Sequence, residues 1–230
     1  MIEAVIFDIG GPLDTEVEKE AALDADIREA LAREGIEVDD AHYHAAERFA
    51  IETCAPNVYR AIIWYLTGRD AERSLRIYAW VVACEAERDL FELRPDILSV
   101  LAALKQRGLK LGLASNEPEA VLRRMAEHGI GSFFDNHGVA GVHGFRKPDV
   151  RAFLQACEDL DVEPNACIMV GDRIDNDIVP AKHLGMRTVR IRTGRHRTQE
   201  ARSWDELPDA EVEDSADLLR AIESLIEAFA

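Results

Sequence analysis

The spacing of hydrophobic positions changes twice along the chain. Residues 2–9 (IEAVIFDI) form a short, β-branched apolar run that ends at two glycines, which predicts a buried strand. From 16 to 92 the apolar positions recur at helical spacing, as in ALDADIREALAREGI and RAIIWYLTGRDAERSLRIYAWVVACEAERDLF, with no strand-like alternation. Three to five helices are expected there, broken near Gly35, Pro56 and Gly68. After 95 the two periods alternate. Helices are expected at 95–107, 117–128, 148–160, 176–184 and 215–228. Between them fall strands LKLGLAS, ACIMV and MRTVRIR, a short strand within FFDNHGVAGV and a last one near 210–213. Strands separated by helices of this length imply parallel βαβ units. The predicted fold is α/β: a doubly wound parallel sheet built from 1–15 and 93–230, with an all-helical insertion at 16–92.

The bulk numbers narrow the function classes. The 230 residues suffice for one large domain or one domain with a smaller insertion, and 47% hydrophobic residues supply a sizeable core. A net charge of -17 disfavours nucleic acid and anionic membrane as partners. The four cysteines make no CxxC pair and no zinc spacing, so buried free thiols in a reducing cytosol are expected. There is no basic n-region and no run of 18 uncharged apolar residues. A soluble, cytoplasmic protein is expected. The run RTVRIRTGRHR concentrates arginines in an acidic chain; it is read as an anion attractor or as a surface that pairs with acidic helices of a second subunit in a homodimer. The aromatics Trp64, Tyr65, Tyr78 and Trp80 are read as the core of the helical insertion.

In an open parallel sheet, ligands bind beyond the carboxyl ends of the strands. Asp8 follows VIF; Ser115 and Asn116 follow LGLA; Gly171 and Asp172 follow CIMV, with Asp175 and Asp177 beyond. Lys147 stands in GFRKPD at the entry to a helix. Each piece alone has a plain structural reading as a turn former, an N-cap or a helix start. Their shared place at strand ends collects a carboxylate, a hydroxyl, an ammonium and further carboxylates at one edge. Clustered acids without nitrogen or sulfur donors suit Mg²⁺, and a lysine with a hydroxyl suits phosphate oxygens. The chemistry implied is phosphoryl transfer with a carboxylate nucleophile.

Taken together, VIFDIGGPLD, LGLASN, GFRKPDV and IMVGDRIDNDIVPAKHLGMRTV resemble the haloacid dehalogenase superfamily, in its subclass with a helical cap inserted after the first strand of a Rossmann-like core. The resemblance implies that Asp8 is a nucleophile forming an aspartyl phosphate. It implies that Ser115 and Asn116 bind substrate and that Lys147 steadies both the phosphoryl group and Asp8. It further implies that Asp8, the carbonyl of Gly10, Asp172 and Asp177 hold Mg²⁺, Asp177 through water. Members that cleave carbon–halogen bonds lack the acidic GD pair present at 171–172, so the resemblance implies a small phosphorylated metabolite as substrate. One position departs from the pattern. Family phosphatases carry an aspartate two residues after the nucleophile, as general acid and base; here that residue is Gly10. Three accounts follow: a substrate with a good leaving group, such as an acyl phosphate; a replacement from the cap, with Glu16, His42 and His44 as candidates; or a catalytically impaired protein serving as a binding or regulatory module.

Overall fold

The computed structural model describes residues 1–86 and 88–229. The chain divides into two compact units, Met1–Glu16 with Phe91–Ala230, and Val17–Leu90.

The first unit is built on a five-stranded sheet in which every described pairing is parallel. Its strands are β1 (Ala4–Phe7), β2 (Lys110–Leu113), β3 (Cys167–Gly171), β4 (Arg187–Ile191) and β5 (Ala210–Val212), in the order β2-β1-β3-β4-β5. β1 and β3 are buried along their whole length, which explains why both read as unbroken apolar runs. One face packs Val5, Phe7, Leu101, Leu104, Leu111 and Val170 against the helices at Ile97–Gln106 and Ser215–Ala228. The other packs Ile6, Met169, Phe153 and Leu160 against the helix Val150–Leu160.

The second unit contains helices Val17–Arg33, Asp40–Glu52, Val58–Leu66 and Ala71–Ala86, with no strand among its described residues. Gly35, Pro56 and Gly68 all fall in the connections, as expected. Asp39 and Asn57 cap the second and third helices, their side chains accepting from the N–H of His42 and Arg60. The core of this unit is Leu23, Ile27, Leu31, Tyr43, Ile62, Ile63, Ile77 and Val81.

Several sequence expectations change. The aromatics Tyr78 and Trp80 pack on the rim of the helical core rather than within it, and Trp64 stacks on Phe49. The stretch 133–142 holds no strand; Val139 makes a single parallel bridge with Ser115, and Ala140–His143 turns into a short helix. Asn136 occupies the would-be ladder, its Oδ1 accepting from Leu113 N–H at 2.7 Å. The helix expected at 176–184 begins as a π-turn at Ile174–Ile178 before continuing as Val179–His183. Cys157 and Cys167 are buried free thiols, but Cys54 and Cys84 are only half-buried. No helix among the described residues is long and apolar enough to cross a membrane.

Three arginines of the arginine-rich run, Arg187, Arg190 and Arg192, are paired within the chain, whereas Arg197 is exposed. Arg190 is buried, with Nε donating to the Asp172 carbonyl and Nη1 paired with Glu211. Arg192 pairs with Glu200 and Glu211, and Arg187 lies near Asp209 and over the Phe229 ring.

Candidate active site

Strand register assembles the site. Phe7 lies opposite Leu113 on one side and Val170 on the other. Asp8, Ser115 and Asp172 therefore leave neighbouring strands at the same carboxyl edge. The Asp8 N–H donates to the Val170 carbonyl, and the Ser115 N–H to that of Gly138. Gly171 is needed where β3 ends: a Cβ there would lie 2.4 Å from the Asp177 Cβ.

The polar residues brought together are almost wholly enclosed: Asp8, Ser115, Lys147, Asp172 and Asp177 are each less than a tenth exposed. Asp8 Oδ1 accepts from Ile9 N–H at 2.7 Å, and its Oδ2 lies 2.8 Å from Lys147 Nζ. Lys147 also donates to Asp177 Oδ1 at 2.6 Å, while Asp177 Oδ2 accepts from Arg173 N–H at 3.0 Å. One ammonium thus bridges two buried carboxylates. Burial opposes its charge, yet Asp177 and Asp8 outweigh that and hold Lys147 above the ordinary lysine value.

The acids respond in the opposite sense. Burial pushes Asp177 up to about 6 despite Lys147. Burial, then the charges of Asp177, Asp8 and Glu16, hold Asp172 well above the usual carboxylate range. Among the described residues no side chain or N–H pairs with the Asp172 carboxylate. Oxygens of Asp8, Asp172 and Asp177 lie within 4.8 Å of one another. Such a hard, all-oxygen, buried donor set, short of positive charge, fits a divalent cation of the Mg²⁺ type.

Two expected residues sit differently from the simplest picture. The Asn116 amide is spent on the Lys147 backbone, Nδ2 donating to its carbonyl at 3.0 Å and Oδ1 accepting from its N–H at 2.7 Å. Asp175 stands apart from the acidic triad, bound by Arg173 at 2.6 Å and by Gln199 Nε2 at 2.6 Å. His42 and His44 lie exposed on a helix of the second unit, beside Asp39 and Glu47 respectively.

Sequence reasoning missed Arg94. It is buried, and its Nε donates to the Gly11 carbonyl at 2.6 Å and Nη2 to Thr193 Oγ1 at 2.7 Å. It braces the glycine turn just beyond Asp8. That turn needs glycine at 11, where φ is +84° and a Cβ would lie 2.8 Å from the Asp172 Cβ. Nothing in the local sequence ELRPD marks this arginine, because its partners lie 83 and 99 residues away along the chain.

A family model described as haloacid dehalogenase-like hydrolase matches residues 2–185. The chain is 31% identical to a glyceraldehyde 3-phosphate phosphatase of Methanopyrus kandleri, over 98% of this chain and 99% of that one. It is 32% identical to a phosphoglycolate phosphatase of Rhodospirillum rubrum, over 82% of this chain and 79% of the relative. Among solved structures, a HAD phosphatase from Thermococcus onnurineus superposes with a TM-score of 0.63 at 26% identity, covering 96% of this chain and 98% of that one.

Proposed function

The chain belongs to the haloacid dehalogenase-like hydrolases and is a phosphoric monoester hydrolase; from that premise we propose that it hydrolyses a small phosphorylated metabolite through an aspartyl phosphate on Asp8. The observation that carries this reading is the buried array in which Lys147 bridges Asp8 and Asp177 beside Asp172.

Asp8 is the nucleophile. Its Oδ1 is pinned by the Ile9 N–H, so the carboxylate is oriented before substrate arrives. Lys147 neutralises Asp8 in the free enzyme and moves its attraction to the phosphoryl oxygens as charge shifts there. Asn116 acts through Lys147, fixing its backbone from both sides. The Ser115 hydroxyl, on the next strand, donates to a phosphoryl oxygen. Asp8, the Gly10 carbonyl, Asp172 and Asp177 would hold Mg²⁺. When bound, Mg²⁺ supplies positive charge to the phosphoryl oxygens. The relatives named for glyceraldehyde 3-phosphate and phosphoglycolate support a substrate of a few carbons.

The test is a hydrolysis screen over small phosphate esters and acyl phosphates, with and without Mg²⁺. Turnover is expected only with Mg²⁺, and Asp8→Asn and Asp172→Asn are each expected to abolish it. Turnover that survives Asp8→Asn would reject the nucleophile. A protein that binds phosphate analogues but turns nothing over would fit the binding-module alternative, which rests on Gly10.

A further inference from the structure

An alcohol leaves phosphorus poorly as a bare alkoxide. A positioned acid that protonates the bridging oxygen as the P–O bond breaks contributes about 10²–10⁴ in rate. Gly10 has no proton to give, but the space beside it is filled. A Cβ built on Gly10 would lie 2.7 Å from Glu16 Oε2, 2.9 Å from Oε1 and 2.8 Å from Cδ. The Glu16 carboxylate occupies the volume that a residue-10 side chain would take.

The segment between them is folded back to make this so. Gly10 and Asp14 form a bridge, and the Gly11 N–H donates to the Asp14 carbonyl at 2.9 Å. The buried Asp14 carboxylate accepts from the N–H groups of Glu16 at 3.0 Å and Glu92 at 3.1 Å. Thr15 Oγ1 donates to Glu92 at 2.5 Å. Glu16 itself has φ of +57°, a left-handed conformation that is strained for a residue with a Cβ and persists only where its surroundings impose it. Glu16 is also the last residue of the first segment of the unit that carries Asp8, so nucleophile and carboxylate belong to one compact unit. It stands outside the triad formed by Asp8, Asp172 and Asp177, yet its charge acts on both Asp172 and Arg94.

We propose that Glu16 is the general acid and base of the reaction, an assignment that rests on Asp8 being the nucleophile. In the first step an Asp8 carboxylate oxygen bonds to phosphorus. The bond from phosphorus to the ester oxygen breaks with its electron pair going to that oxygen, which takes the Glu16 proton and leaves as the alcohol. In the second step water attacks phosphorus, its proton passing to the Glu16 carboxylate. The bond from phosphorus to the Asp8 oxygen breaks with its pair returning to Asp8, and inorganic phosphate leaves. A side chain at 10 would displace the Glu16 carboxylate from this place.

The experiment compares the full-length wild type, Glu16→Gln, Glu16→Ala and Gly10→Asp/Glu16→Ala with Mg²⁺, on acetyl phosphate and on glycerol 3-phosphate. Acetate leaves without a proton, whereas the glycerol alkoxide needs one. With Glu16→Gln, glycerol 3-phosphate turnover should fall by about 10²–10⁴, whereas acetyl phosphate should still phosphorylate Asp8 within about tenfold of the wild-type rate. The phosphoenzyme should accumulate, because water activation is also lost. The double variant should recover roughly tenfold or more over Glu16→Ala on the alkyl ester, with the aspartate in the vacated space. Magnesium affinity by calorimetry should be unchanged in Glu16→Gln. Equal losses on both substrates without phosphoenzyme, unchanged turnover, or lost magnesium affinity would each overturn the assignment. Wild-type protein with no Asp8-dependent phosphorylation would instead bring down the phosphatase reading, and Glu16 with it.

Discussion

Lys147 stands fully enclosed between Asp8 and Asp177, and its replacement shows how much of the site is structural. Removing one partner of a buried ion pair leaves uncompensated charge and costs roughly 3–5 kcal/mol. Lys147→Met should lower stability by about that much in urea titrations without Mg²⁺, and should abolish turnover. A loss under about 1 kcal/mol would mean that the two carboxylates do not depend on the ammonium. Lys147, Asp8, Ser115 and Asp172 were legible in the sequence because each directly follows an apolar strand or enters a helix. Arg94 and Asp14 were not, because each acts on a loop brought near only by the fold. The missing carboxylate at 10 was legible as a gap. That Glu16 fills the gap became visible only with the path of 10–16.

At the scale of elements, β4 and the turn after it tie the site to the rest of the sheet. Arg190 joins the Asp172 carbonyl to Glu211 on β5 and to the His196 carbonyl in the turn. Burial, then the charge of Arg173, holds His196 down to about 3, and its Nδ1 is buried without a hydrogen-bond partner. The unfolded chain takes up this proton near 6.5 and the folded protein only near 3. Between those values the unfolded state binds more protons, so stability falls as pH drops. His196→Gln should shrink the difference in urea midpoint between pH 7 and pH 5. An identical difference in wild type and variant would show that His196 titrates normally when folded. The sequence marked this stretch only as a run of arginines. Local pattern could not show that Asp209, Glu211 and Glu200 lie across from Arg187, Arg190 and Arg192.

At the scale of the whole molecule, the core unit is interrupted in sequence by the helical one, so β1 pairs with strands more than a hundred residues away. The period change after residue 15 and its reversal after 92 made that interruption readable. The short strand expected in 133–142 was not a strand because Asn136 takes the Leu113 N–H that a ladder would use. Central and edge strands should differ in amide exchange, which follows local opening. Val5, Ile6, Ile168 and Met169, on strands paired at both edges, should exchange slowest, and Ala210 and Glu211 on the edge strand much faster. Exchange at Glu211 as slow as at Ile6 would contradict the strand order.

Phosphoryl transfer to Asp8 is most directly tested by trapping the intermediate. The protein is mixed with acetyl phosphate and Mg²⁺, quenched in acid, and treated with borohydride, which reduces an aspartyl phosphate to homoserine. Peptide mass analysis should find homoserine at residue 8, dependent on Mg²⁺ and absent from Asp8→Asn. An active protein whose residue 8 stays aspartate, including in the Glu16→Gln variant expected to accumulate the intermediate, would contradict the account.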